Sequence, residues 1–144
     1  MNSFIATGRL VKDPAKSLTP KGKSIAHFKL AVVNKRSKRA DGKYDTDFFK
    51  CVAYGDVADR ILRYKRRGEP LLIVGEMHFP KFKSKTSDHW VIYPLVTVLD
   101  IDLLTTQKYH DPNKLADKLE KEANMFDIAA ESEEEHEHEM DMYG

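Results

Sequence analysis

The sequence predicts an all-β barrel carrying one helix, followed by a short C-terminal helix and a disordered acidic tail. Three observations carry this expectation. Short apolar stretches alternate with period two, as strands with one buried face do. Glycines stand inside two of them, at Gly8 and Gly75, where a small closed barrel needs bends. The period switches to helical once within the body of the chain, after Gly55.

The first strand is expected over residues 3–11, bent at Gly8 and broken by Asp13-Pro14; Thr19-Pro20-Lys21-Gly22 then makes a turn. Lys23 to Asn34 alternates, with Phe28, Leu30 and Val32 as its core set and His27 as a surface residue of the other face. A basic loop follows, Lys35 to Lys43, five of whose nine residues are cationic, closed by the hairpin pair Asp41-Gly42 and followed by Tyr44.

The third strand, Asp47–Gly55, is the most informative. Phe49, Cys51 and Ala53 share one face, and Phe48, Lys50, Val52 and Tyr54 the other. Rings for bases with positive charge between them are what a surface needs to hold a single-stranded nucleic acid. The same residues would equally serve to cover a second apolar layer or a subunit contact.

Asp56 is the expected N-cap of a helix burying Val57, Ala58, Ile61 and Leu62 and ended by Gly68. Leu71–Met77 reads as a buried strand. A hairpin is expected next, from Phe79–Lys83 through Ser84–Asp88 to Trp90–Val98, with Lys81, Phe82 and Lys83 interleaving cations and an aromatic. Three strands, a helix and two strands are the order of a five-stranded OB barrel, an architecture that binds oligonucleotides across its face and loops. Asp111-Pro112-Asn113 caps a last helix with an apolar edge of Leu115, Leu119, Ala123 and Phe126. From Glu131 the chain is too acidic and too poor in apolar residues to fold alone. The expected organisation is a binding domain over 1–110, a helical connector over 111–130 and the tail over 131–144.

The net charge of +1 conceals a strong asymmetry. Through His110 there are 21 Lys/Arg and 11 Asp/Glu; from Asp111 onward there are 3 Lys and 12 Asp/Glu. A basic body suits an anionic partner, and its acidic extension a second role. Opposite charge also allows the tail to lie over the basic face and compete with an anionic partner. Cys51 is the only cysteine, so no intrachain disulfide forms and a reducing compartment is expected. No apolar run reaches the length of a membrane span or signal peptide, so a cytoplasmic protein with no membrane partner is expected.

Enzyme chemistry is the weakest reading. Gly22-Lys23-Ser24 lacks the glycine, at Ser17, that a phosphate-binding loop requires. Glu135-His136-Glu137-His138-Glu139 is better read as solvated acidic tail than as a metal site. No cofactor or metal is expected.

Taken together, Gly8-Arg9-Leu10, Asp13-Pro14, Thr19-Pro20-Lys21-Gly22, Ala26 to Val32, Asp47-Phe48-Phe49, Val52 to Gly55 and Gly75-Glu76 resemble the bacterial and phage single-stranded DNA-binding protein family, over roughly the first hundred residues. The resemblance implies an OB fold, assembled as a homotetramer, that coats single-stranded DNA in replication, recombination and repair. It implies base stacking on Phe48, Tyr54 and Phe82. Ser37 stands where relatives place another aromatic, which Tyr44 would replace; Trp90 would serve either DNA or a subunit contact. Lys35, Arg36, Lys50, Lys81 and Lys83 are the expected backbone contacts. Relatives recruit replication and repair proteins through an acidic tip with an apolar end; here Met140, Asp141, Met142 and Tyr143 stand in that place, without the usual Pro-Phe. A phage or mobile-element protein with its own partners fits that departure. An RNA-binding OB module and an interaction adaptor working through its tail are the alternatives.

Overall fold

The architecture follows from a computed structural model that describes residues 1–86, 88–105 and 112–129, with side chains to residue 125. The elements are β1 (Phe4–Leu10), β2 (Ala15–Leu18), β3 (Ser24–Lys38), β4 (Tyr44–Tyr54), α1 (Gly55–Tyr64), β5 (Pro70–His78), β6 (Lys81–Lys83), β7 (Trp90–Ile92), β8 (Leu95–Asp102) and α2 (Pro112–Ala129). The main sheet runs β1-β5-β8-β4-β3-β2, and β1 also pairs with β3, which closes five strands into a barrel. Only the β4–β8 pairing is parallel, with Cys51 beside Val96. This is the expected OB architecture.

The barrel interior contains the rows expected from alternation, Phe28 and Leu30 on β3 with Cys51 and Ala53 on β4. Ala26, Leu30, Cys51, Ala53, Ile61, Leu71, Ile73 and Val96 are fully buried, with Phe28 and Val98 nearly so. Phe49 lies at its rim, its ring centroid 5.0 Å from that of Phe4. Cys51 is therefore a core residue, and burial pushes its thiol far above the ordinary cysteine value. Glycines allow the strands to approach where the barrel bends. A Cβ on Gly8 would lie 2.3 Å from the Ala31 carbonyl oxygen, and one on Gly75 2.1 Å from that of Thr97.

Several local expectations are corrected. The break at Asp13-Pro14 is short: β2 resumes pairing with the same strand, Ala15 opposite His27, where β1 had left Leu10 opposite Leu30. The basic stretch after Asn34 is the end of β3 rather than a loop; only Arg39–Lys43 forms the turn, closed by Arg39 N–H to the Lys43 carbonyl at 2.7 Å. Asp56 is not the N-cap of α1 but lies in its first turn, where its charge favours the helix dipole. Gly68 does not end that helix either; α1 stops at Tyr64, and the Gly68 N–H donates to the Leu10 carbonyl. Just past the helix, Lys65 is buried, and its Nζ donates to the Leu104 carbonyl at 2.7 Å. Burial lowers its pKa below the ordinary lysine value.

The expected strand Trp90–Val98 is divided. β7 pairs only with β6 as a separate hairpin, and β8 alone enters the barrel. Pro94 stands at the division, a residue with no N–H to give to a ladder.

Candidate nucleic-acid interface

The outer face of β3 and β4 is a ladder of cross-strand pairs. In order along it come Ile25 with Tyr54, His27 with Val52, Lys29 with Lys50, and Ala31 with Phe48. The two aromatics are six residues apart on one strand, about 20 Å at the usual rise. Two lysines stand abreast between them. Like charges directly opposite each other on a sheet repel, and an anion laid across them relieves that cost.

Each end of this ladder is covered. At the Tyr54 end the β6–β7 hairpin folds over the sheet, forming a second apolar cluster of Ile25, Val52, Phe82, Tyr93 and Leu95, with Tyr54 and Val91 partly buried against it. Phe82 is 8% exposed and meets Tyr93 edge-on, ring centroids 5.7 Å apart. The Lys50 ammonium lies 5.9 Å from the Tyr93 ring centroid, at the outer range of a cation–π contact. At the Phe48 end, α2 lies over the sheet: Leu119 and Ala123 pack with Val11 and Ala31, and Phe48 and Leu115 pack against them. The second apolar layer weighed for this face therefore exists, and Val52 and part of Phe48 belong to it.

The hairpin divides its residues by alternation. Phe82 and Val91 turn toward the barrel, while Lys81, Lys83, Trp90 and Ile92 turn outward, with Lys83 opposite Trp90 and Lys81 opposite Ile92. Trp90 is 66% exposed. Lys83 meets Asp88 at 3.7 Å, an exposed pair of little energetic weight.

At the far tip of β3, the register shifts between Asn34 and Lys38, which puts Lys35 and Arg36 in the irregular stretch, both exposed. Ser37 faces inward enough for its Oγ to donate to the Asp45 carboxylate, and Tyr44, opposite Lys38, is 45% exposed beside it. The structure thus brings Phe48, Lys50 and Tyr54 onto one surface with the hairpin at one end, while Lys35, Arg36 and Tyr44 lie at the extended tip. Met140, Asp141, Met142 and Tyr143 lie outside the described residues.

Three relevant residues went unread in the sequence. Lys29 aligns with Lys50 only through the β3–β4 register, and Tyr93 only through the hairpin's fold-back. Lys23 lies beside Tyr54, where an open cavity of about 440 Å³ is lined by Gly22, Lys23, Ser24, Tyr54, Gly55, Asp56, Val57 and Asp59. The alternation of Lys23 to Asn34 already placed Lys29 on the non-core face, so the first of these was within reach.

The profile of the single-strand binding protein family matches residues 1–104, the whole barrel with its hairpin. The chain is a member of that family. Among its relatives, the single-stranded DNA-binding protein 1 of Streptococcus pyogenes serotype M6 is 36% identical over 90 residues, 62% of this chain and 68% of the relative. The single-stranded DNA-binding protein of Thermotoga maritima is 34% identical over 88 residues, 60% of this chain and 62% of its own. The single-stranded DNA-binding protein 2 of Streptococcus agalactiae serotype III is 26% identical over 133 residues, 92% of this chain and 96% of the relative. That last alignment extends beyond the barrel of this single-strand binding protein family member into its C-terminal region.

Among the described residues of this family member, no group of three or more His, Cys, Asp or Glu could hold a metal ion. No described helix is long and apolar enough to cross a membrane. Each lysine of the face that meets a phosphate releases counterions, so replacing Lys50 with Ala should flatten the log–log salt dependence of single-strand binding by about 0.7. Parallel slopes for the two proteins between low and physiological salt would place Lys50 away from the backbone.

Proposed function

We propose that the chain is a non-enzymatic protein that coats single-stranded DNA without base specificity in replication, recombination and repair. The observation that carries this reading is the β4 ladder, with Lys29 and Lys50 abreast between Phe48 and Tyr54. Bases stack on Phe48 and Tyr54 while Lys50 holds the backbone between them; Phe82, expected from the sequence as a third platform, is buried against Tyr93 and supports the hairpin from beneath. Lys81, Lys83 and Trp90 extend the track over the hairpin, and Lys35, Arg36 and Tyr44 extend it along the β3–β4 tip. No side chain of this set is arranged to read a base edge, and affinity then depends on ring faces and charge. Family membership supports the same reading.

The working unit in this proposal is the barrel over 1–110, assembled as a cytoplasmic homotetramer, with 111–130 as connector and 131–144 as acidic tail. The tail, with Met140, Asp141, Met142 and Tyr143 at its end, recruits replication or recombination proteins and competes weakly with DNA for the basic body. Deleting residues 131–144 should tighten DNA binding at low salt and change little at high salt, where charge is screened. Equal affinities at low salt would leave the tail as a partner hook alone.

The deciding experiment is a Trp90 fluorescence titration with dT and rU oligonucleotides of equal length, at low and physiological salt, with a gel-shift control. Tight, stoichiometric binding that favours dT is expected. Equal or tighter binding of rU would make the chain an RNA-binding module. Absence of binding to either in both assays would leave an adaptor acting through its tail.

A further inference from the structure

We propose that helix α2 is an intramolecular competitor of single-stranded DNA, seated on the Phe48 end of the binding face and displaced when DNA binds there. This rests on the DNA-binding reading above and adds a regulatory element within the chain itself, distinct from the tail that follows it.

The argument starts with what α2 covers. Of its buried apolar side chains Ala116, Leu119 and Ala123, the last two pack on Val11 and Ala31. Ala31 is the direct cross-strand partner of Phe48, and Phe48 itself packs into the same cluster. Phe48 is partly buried against this cluster, so a base stacking on its ring and the helix seated beside it draw on one apolar surface. Helix and DNA therefore compete for the Phe48 end.

The charges make the same point independently. Glu120 lies 3.6 Å from the Lys12 ammonium and 3.2 Å from the Arg67 guanidinium. Asp117 also pairs with Arg67, and Glu122 lies 3.8 Å from Arg39. Three carboxylates of one helix thus neutralise three cations of the barrel body. Lys12, Arg39 and Arg67 lie outside the lysine track proposed above, but they are barrel cations around the seat of α2. An apolar contact beside Phe48 with anions on nearby cations is what a nucleic-acid strand would also supply.

The seat is also built to be left. The ion pairs are partly solvated, with side-chain exposures from 24% to 64%, and such pairs hold weakly and weaken further with salt. The apolar anchor is one leucine and two alanines, Leu119, Ala116 and Ala123, with a half-buried Leu115. The barrel core is separate from this cluster, so release of α2 leaves Leu30, Cys51 and Ile73 covered.

The test uses the full chain with its tail. Leu119→Asn removes the anchor without adding charge, and should tighten dT binding about fivefold, the equivalent of one regained stacking contact. Hydrogen exchange on the unaltered chain is the second measurement, and needs no variant to fold: saturating dT should accelerate exchange in residues 112–125. Unchanged or weaker binding by folded Leu119→Asn overturns the proposal, as does α2 exchange that dT leaves unchanged or slows. Failure of both the unaltered chain and the variant to bind dT overturns the DNA-binding reading itself, and the competition with it.

Discussion

Replacing Tyr54 with Ala is expected to weaken oligo-dT binding about five- to 150-fold, because one stacked base contributes about 1–3 kcal/mol. Tyr54 is the aromatic for which the expectation is sharpest. It lies at the β4–α1 junction, beside Lys23 and the open cavity, and the hairpin cluster leaves it only partly buried. Tyr54→Phe keeps the ring and should bind close to the unaltered protein. Matched circular dichroism would establish that Tyr54→Ala is folded. An unchanged dissociation constant in that folded variant would take Tyr54 out of the site and leave the cavity end of the ladder without a stacking role.

Gly8→Ala should lower stability by about 3 kcal/mol or more, in the range where single substitutions need a specific steric cause. That cause is a backbone oxygen. The new Cβ would stand 2.3 Å from the Ala31 carbonyl oxygen and 2.9 Å from Leu30 Cγ. Moving either opens the β1–β3 closure that makes the sheet a barrel. Gly22→Ala is the internal control, since its Cβ meets nothing within 4 Å but its φ is +83°. The control should lose only the conformational cost of about 1–2 kcal/mol. Chemical denaturation of both variants separates the two effects. Equal losses would mean that the barrel yields at β1 without penalty and that crowding at Gly8 does not govern closure.

The barrel was legible because its strands announce themselves locally. Leu30, Cys51 and Ala53 could be placed in the core by counting in twos, and Gly8 and Gly75 by their position inside strand-like runs. The outer face was half legible. Alternation put Phe48, Lys50, Val52 and Tyr54 on one side, but nothing local says that Val52 is 2% exposed there. That burial comes from the hairpin folding back over β4, a contact between segments some thirty residues apart. Phe82 illustrates the same limit. A lysine on each side suggests a solvated strand, yet the central ring of Lys81–Lys83 faces the barrel and the lysines face water. The docking of α2 on Phe48 was legible only as an apolar edge needing a cover, because helix periodicity gives the face and not its destination. Lys29 is the instructive omission, since its importance arises from register with Lys50 rather than from its own neighbours.

The pairing of β8 with both β4 and β5 has a consequence for how the chain comes into being. During synthesis, the first three barrel strands emerge as a meander whose inner row still lacks Val96 and Val98. Those contacts join segments far apart along the chain, so they are late and slow compared with hairpins. The nascent protein stays open along one seam until Ile101 has left the ribosome. Helix α2 is the next described element to emerge, and it arrives after the seam has closed. A newly made molecule would thus expose the Phe48 end of its groove until α2 has emerged and docked there.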